Sequence, residues 1–346
     1  MKQLKHWALF LCLPSGFLAC GQNHTTTNPQ NSTTPSPTPI IAPSPVAESE
    51  PDLKPFAYTS SEKIFRIYFD KVHPGELLLK LSSGGYVLLT QNAKPQPLEN
   101  HCELQDDYFT HYEWANPFLV SADTDCRIDS KASKIETVAK NPSLVNAYAT
   151  AYLGRDDHFF TFLINSHPMK SPGFVHVKKI KVDTGVSGKI ESLETSILVD
   201  QIKPYSGPMS TSPDGRSFWY TAAIPDNDPS KMKNVLYQIN LNVFGLPNDQ
   251  KTFDQWVQGA KSFEFTGLAS YLMAGSRYLM YLIEEDEKVK TAYFLINRDD
   301  GKKLAPPTPE PDCSPAGLVK NQVYFLCGGT TIKTRTVAEL LKEITP

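Results

Sequence analysis

A unit of turn, aromatic strand, polar loop and second apolar strand recurs three times in this chain, which restricts it to folds built by repeating a small antiparallel sheet. The clearest copy is Ser212-Pro213-Asp214-Gly215-Arg216 leading into Ser217–Tyr220, then the loop Pro225–Lys233 and the strand Val235–Asn240. A second copy runs from Gly154–His158 into Phe159–Phe162, loops through Pro168 and resumes at Val175–Ile180. The third opens at Gly275–Arg277, continues as Tyr278–Tyr281, crosses the acidic loop Glu284–Lys288 and ends on Ala292–Asn297. The period is about sixty residues, against roughly 40–50 for common propeller blades, and the polar loops absorb the excess.

Between Phe56 and Pro346 the same texture prevails: short apolar runs broken by Gly, Pro, Asn and Asp. Ile64–Phe69 reads as a strand, and Leu77–Leu81 with Tyr86–Leu89 reads as a hairpin about Ser82–Gly85. Later strands are expected at Phe159–Ile164, Phe174–Val182, Ser217–Ala222, Val235–Leu241, Tyr278–Ile283, Ala292–Ile296 and Gln322–Leu326. Long helical periodicity is nearly absent, and 28 prolines with only 6 methionines point away from a helical bundle. The expected class is all-β: residues 56–346 form a β-propeller of about six or seven blades at the usual blade size. One short helix is expected at the end, where Thr336-Val337-Ala338-Glu339 fits a capping box and Val337, Leu340, Leu341 and Ile344 share a face.

Ser212-Pro213-Asp214-Gly215 resembles the turn of TolB-like β-propeller repeats, in which Ser-Pro-Asp-Gly precedes an apolar-alternating strand. The chemistry of the turn is local. Proline presets φ, the Asp carboxylate accepts nearby backbone N–H groups, and Gly takes the positive φ before the strand. This repeat turn is complete in one copy only, so the resemblance bears on architecture and leaves the activity open.

The N-terminus has the layout of an export signal. Lys2 and Lys5 precede the apolar run Trp7–Leu13, which breaks at Pro14–Gly16 and resumes before Cys20. Phe17-Leu18-Ala19-Cys20 resembles the lipobox of bacterial lipoproteins, with Phe17 where that family usually has Leu. The resemblance implies a signal peptide over 1–19, cleavage before Cys20, and transfer of diacylglycerol to the Cys20 thiol, whose palmitate-type acyl chains form the membrane anchor. Ordinary cleavage nearby, or an uncleaved anchor, are the alternatives. Residues 20–55 are dominated by Asn, Thr, Pro, Ser and Gln, including Thr34-Pro35-Ser36-Pro37-Thr38-Pro39. Such a run buries too little apolar surface to fold and reads as an extended, disordered linker, at roughly 3 Å per residue where it is polyproline-like. Gly21, rather than Asp, after the Cys resembles lipoproteins sent to the outer membrane of cells with two membranes.

Setting aside Cys12 and Cys20 leaves Cys102, Cys126, Cys313 and Cys327, an even number in a chain expected to reach an oxidising compartment. Three pairings are open. The sequence-local one, Cys102 with Cys126 and Cys313 with Cys327, is preferred because each pair falls within about one hairpin or blade. No pair has the Cys-x-x-Cys spacing of a metal site.

The net charge of −3, from 34 basic and 37 acidic residues, argues against nucleic acid as a partner. No Gly-x-Ser-x-Gly elbow or His-Glu-x-x-His motif occurs, and Gly185–Ile190 departs from a phosphate loop at both ends. Asp123-Thr124-Asp125, Asp226-Asn227-Asp228 and Arg298–Gly301 lack the rest of a calcium loop and read as turns. His73, His101, His111, His158, His167 and His176 show no ligand spacing. No catalytic residue, metal or cofactor is therefore expected. One segment, His101–Trp114, mixes aromatic and acidic side chains in a way that suits recognition of a glycan or peptide, with Trp114 as the candidate contact.

These readings converge on a lipid-anchored, non-enzymatic propeller that binds or scaffolds at the cell envelope, with a protein or glycan partner. An envelope enzyme acting on glycans, its residues gathered from several blades, and an outer-membrane assembly factor are the alternatives.

Overall fold

The computed structural model describes residues 53, 55–90, 93–102, 112–140, 147–166, 174–183, 191–194, 206–225, 232–245, 249–265, 269–283, 292–306 and 310–344. The chain divides into two units, Met1–Glu50 and Pro51–Pro346. The signal, Cys20 and most of the expected linker lie outside the described residues.

Among the described residues, twenty-four strands form six four-stranded blades. The first strand, β1 (Ala57–Thr59), belongs to the last blade. Blade one is β2 (Ile64–Phe69), β3 (Leu77–Leu81), β4 (Tyr86–Leu89) and β5 (Gln96–His101). Blade two is β6 (Glu113–Ala115), β7 (Phe118–Val120), β8 (Thr124–Asp129) and β9 (Lys134–Lys140). Blade three is β10 (Ala147–Arg155), β11 (Phe159–Ser166), β12 (Phe174–Lys181) and β13 (Glu191–Glu194). Blade four is β14 (Ser206–Thr211), β15 (Ser217–Pro225), β16 (Met232–Asn240) and β17 (Lys261–Phe265), and blade five is β18 (Ala269–Ala274), β19 (Tyr278–Ile283), β20 (Ala292–Asn297) and β21 (Lys303–Leu304). Blade six is β22 (Cys313–Val319), β23 (Gln322–Cys327) and β24 (Thr331–Thr336), completed by β1, whose Tyr58 pairs with Ile332.

The first strand of each blade is innermost, and these six strands touch in sequence around a ring, with β22 returning to β2. That closed ring of radially repeated antiparallel sheets is a six-bladed β-propeller, within the expected range of blade number. The three repeat copies read from sequence fall on blades three, four and five, each turn joining the innermost strand to the second.

Packing between blades explains why the middle strands read as continuous apolar runs. Leu77, Leu78 and Leu79 are all buried, as are Tyr86 through Leu89, because each sheet is covered on both faces by its neighbours. The core is accordingly a circle of clusters between adjacent blades, such as Trp114, Leu119 and Ile135 with Tyr68 and Leu78 between blades two and one. Phe118 stands edge-on to Phe160 at 5.2 Å between blades two and three, an arrangement favoured by the ring quadrupoles.

Both disulfides form as paired in the sequence analysis, Cys102 with Cys126 and Cys313 with Cys327. Cys313 and Cys327 face each other across the β22–β23 hairpin. The other bond corrects the expectation that it lies within one blade: Cys102 follows β5 of blade one, whereas Cys126 is in β8 of blade two. The reason is a parallel pairing of the outermost strands, β5 with β9, through Glu99 with Lys134 and His101 with Glu136. It joins two blades edge to edge into one eight-stranded sheet.

Among the described residues, three helices decorate the propeller. α1 (Leu241–Phe244) and α2 (Gln250–Gln258) interrupt blade four between its last two strands, and sequence reasoning missed both. The indole of Trp256 donates to the Gly245 carbonyl at 2.9 Å and lies 5.4 Å from the Phe218 ring, which seats the insertion on the blade. α3 (Val337–Ile344) is the expected terminal helix. The Thr336 amide donates to Glu339 Oε2 at 2.8 Å, and the Glu339 amide donates to Thr336 Oγ1 at 3.2 Å, which is the capping box. Val337 and Leu340 are buried. No helix among the described residues is long and apolar enough to cross a membrane.

Candidate functional site

The innermost strands end on a common face, and there they enclose a cavity of ≈ 510 Å³. Phe69, Met273, Ala274, Leu318 and Val319 give it apolar walls, whereas Lys71, Arg155, Ser212 and Asp214 bring polar and charged groups from three blades. Such a concave mixture of apolar surface and a few convergent polar groups is the ordinary form of a ligand site.

The repeat turn is one wall of this mouth. Ser212 donates through Oγ to the Asp214 carboxylate at 2.5 Å and accepts at the same atom from the Ser217 amide at 2.9 Å. The Asp214 carboxylate also accepts from the Arg216 amide at 3.0 Å, and Gly215 has φ of 67°. The carboxylate and glycine roles expected of Asp214 and Gly215 in this turn are present. The turn also occupies its own Ser212 hydroxyl, so the residue that sequence analysis placed in an architectural role contributes a rigid edge.

Blades one and three supply the other wall, backed by blade two. Lys71 pairs with Glu113 at 3.4 Å. Burial pushes the Glu113 carboxyl above the usual range, and Lys71 offsets part of that rise. Burial likewise pushes the Tyr152 hydroxyl up to about 12, so it stays protonated and able to donate at neutral pH. The Arg155 guanidinium lies 5.3 Å over the Phe160 ring.

Beside them, the turn from Asp70 to Glu76 folds onto blade two. Asp70 Oδ1 accepts from the Val72 amide at 2.8 Å and from the Asn116 amide at 3.0 Å, while Oδ2 meets His73 Nδ1 at 3.0 Å. Glu76 Oε2 accepts from Asn116 Nδ2 at 3.1 Å. Two groups of three donor side chains among the described residues stand close enough to share an ion: Asp70 with His73 and Glu76, and Glu310 with Cys313 and Cys327. The second is spent, because its two sulfurs are bonded to each other. Sequence reasoning missed the first because ligands spaced three apart in an irregular turn match no linear motif, and only the fold of the turn brings them together.

Trp114 is a correction. It is 1% exposed and packs with Leu119, Ile135 and Tyr68 between the first two blades, so it offers no surface to a partner. Its position in an innermost-strand segment, facing the neighbouring sheet, decides this. Tyr112 of the same segment is half-buried against Tyr68, with ring centroids 6.3 Å apart, and residues 103–111 lie outside the described residues. The acidic stretches resolve as turns and ion pairs: Asp125 bonds Lys178, and Asp300 accepts from the Lys302 amide at 2.8 Å. Asp226-Asn227-Asp228 and Gly185–Ile190 lie outside the described residues.

No family model matches the chain, and no curated protein matches it in sequence. Among solved structures it is similar to a TolB protein of Agrobacterium tumefaciens, at 12% identity and a TM-score of 0.40, over 72% of this chain and 82% of that one. A gluconolactonase of Xanthomonas campestris aligns at 12% identity and a TM-score of 0.44, over 82% of this chain and 89% of that one. Hydrazine synthase of Kuenenia stuttgartiensis aligns at 10% identity and a TM-score of 0.44, over 81% of this chain and 97% of that one. The propeller assignment stands on the strand order and the closed ring of this chain itself.

Proposed function

We propose that the chain is a lipid-anchored protein of the cell envelope whose propeller acts as a non-enzymatic binding module, taking a protein or glycan partner at the mouth described above. The observation that carries this reading is the run Phe17-Leu18-Ala19-Cys20 followed directly by a Pro/Thr/Ser-rich stretch and then by a folded domain. An acyl group on Cys20 explains why a segment too polar to fold should separate that domain from the signal. The two disulfides suit the oxidising side of a membrane. At the mouth, apolar walls beside a few polar groups suit the binding of a partner, and the Ser212 hydroxyl is held within its own turn.

The full-length chain, expressed in a bacterial host and recovered from the membrane fraction, is expected to have the intact mass of the polypeptide from Cys20 plus acyl groups. Reduction should add the hydrogens of two disulfides. Cys20→Ser should abolish the acylated species and release the protein from the membrane. An unmodified mass beginning at another residue overturns the anchor, and with it the envelope-tether reading.

A further inference from the structure

The turn that joins β2 to β3 carries three potential ligands on a seven-residue span, and hydrogen bonds to Val72 and Asn116 hold one oxygen of each carboxylate. Donor atoms of Asp70, His73 and Glu76 all lie within 4.8 Å of one another. The Asp70 side chain has no exposed surface, and two backbone amides hold its Oδ1, so Oδ2 is the oxygen presented to His73 Nδ1. The Asn116 amide holds Glu76 Oε2 in the same manner, which leaves Oε1. Fixing the far oxygen of each carboxylate through an outer hydrogen-bond donor is how proteins orient metal-binding carboxylates.

The charge around these groups points the same way. Lys71, the cation on this turn, is directed to Glu113. Two carboxylates therefore share a partly buried space with one imidazole. A cation among the three would offset the negative charge gathered there. The His73 side chain is 56% exposed, which provides a route in from solvent.

We propose that Asp70 Oδ2, His73 Nδ1 and a carboxylate oxygen of Glu76 bind one divalent transition-metal ion of the zinc class, which takes the place of the proton shared by Asp70 and His73. One imidazole with two carboxylates suits zinc and its neighbours better than calcium or magnesium, which prefer all-oxygen shells. Three protein ligands leave a coordination position for water or for an oxygen of a partner. Asp70 also borders the cavity, as do Val72 and Pro74 of the same turn. The ion would thus fix one wall of the mouth and offer a Lewis-acidic contact at its rim.

Untagged protein stripped with chelator is titrated with Zn²⁺ by calorimetry and with Co²⁺ by visible absorption. One equivalent per chain is expected, weakened about tenfold or more by His73→Ala and by Glu76→Gln and unchanged by His158→Ala, an exposed histidine elsewhere. All variants are checked for a wild-type melting curve in chelator. X-ray absorption of the zinc-loaded wild type, which depends on no variant, should show nitrogen and oxygen scatterers with one imidazole. Absence of binding, several weak equivalents, binding indifferent to both variants, or sulfur in the zinc shell overturns the site. None of these results bears on Cys20, so this inference and the anchor fail separately.

Discussion

Lys178 carries its charge at a position with no exposed side-chain surface, and its Nζ bonds the equally buried Asp125 carboxylate and, at 3.1 Å, the Ser121 carbonyl. The contact runs from β12 of blade three to β8 of blade two, so it ties two blades through charge where their neighbours meet through apolar surface. Burial pulls the Lys178 ammonium below its ordinary range, and Asp125 restores part of it. Removing one partner of such a pair strands the other charge in a low-dielectric site, which typically costs about 3–5 kcal/mol, whereas replacing both with apolar groups is near neutral. Lys178→Met should therefore lose roughly that much in chemical denaturation, and the double substitution Lys178→Met with Asp125→Leu should recover most of it. A single substitution that costs nothing would show that the pair is not sealed from water. Arg298 performs a related service between blades four and five, donating to the Gly275 carbonyl at 2.9 Å and to Ser217 Oγ at 3.2 Å.

At the scale of elements, α3 shows how a four-residue pattern can position a whole helix. Thr336 ends β24 and caps α3 at once, so the strand cannot continue past it without giving up the cap. Thr336→Ala should cost about 1 kcal/mol in thermal unfolding. The Thr336 amide and hydroxyl hold the Glu339 carboxyl below the usual carboxylate range. A group with a depressed folded value stabilises fully above its unfolded value and loses that contribution as pH falls through the folded one. The stability gap between wild type and Glu339→Gln should accordingly close on the acid side. This helix was legible in sequence because its cap, its apolar face and its length coincide. The middle strands were legible too: Leu77–Leu81, Tyr86–Leu89 and Tyr278–Ile283 match to the residue, since burial on both faces writes them as apolar runs. The innermost strand Ser206–Thr211 was not, because Ser-Gly-Pro-Met-Ser-Thr carries no apolar run at all. α2 escaped for a similar reason, since its buried Phe253 and Trp256 stand in a run dominated by Gln, Lys, Thr and Asp. The mouth was half visible: its Ser212–Gly215 edge stands in the sequence, whereas the Asp70–Glu76 grouping depends on how one turn folds against Asn116.

At the scale of the molecule, the ring is shut by β1. Ala57–Thr59 pairs with β24, the Phe56 amide donates to Thr334 Oγ1 at 2.7 Å, and Leu53 and Phe56 pack on the core of blade six. The Gln322 side chain donates to the Leu53 carbonyl beside the turn that ends β22, so the chain enters β1 from the face that bears the mouth. A chain beginning at Ser61 loses these contacts, worth several kcal/mol of apolar burial, and should melt on the order of 10 °C below one beginning at Glu50. Equal melting temperatures would mean that the ring holds without its closing strand. The same feature sets an order in time. β1 is made before the other twenty-three strands, yet its partner β24 is the last, so the residue pair Phe56–Thr334 joins positions 278 apart. Contacts of such separation form late and slowly. Five blades can assemble in turn as the chain emerges, but the sixth must wait for the whole chain, and until then β1 is open to pairing with other molecules.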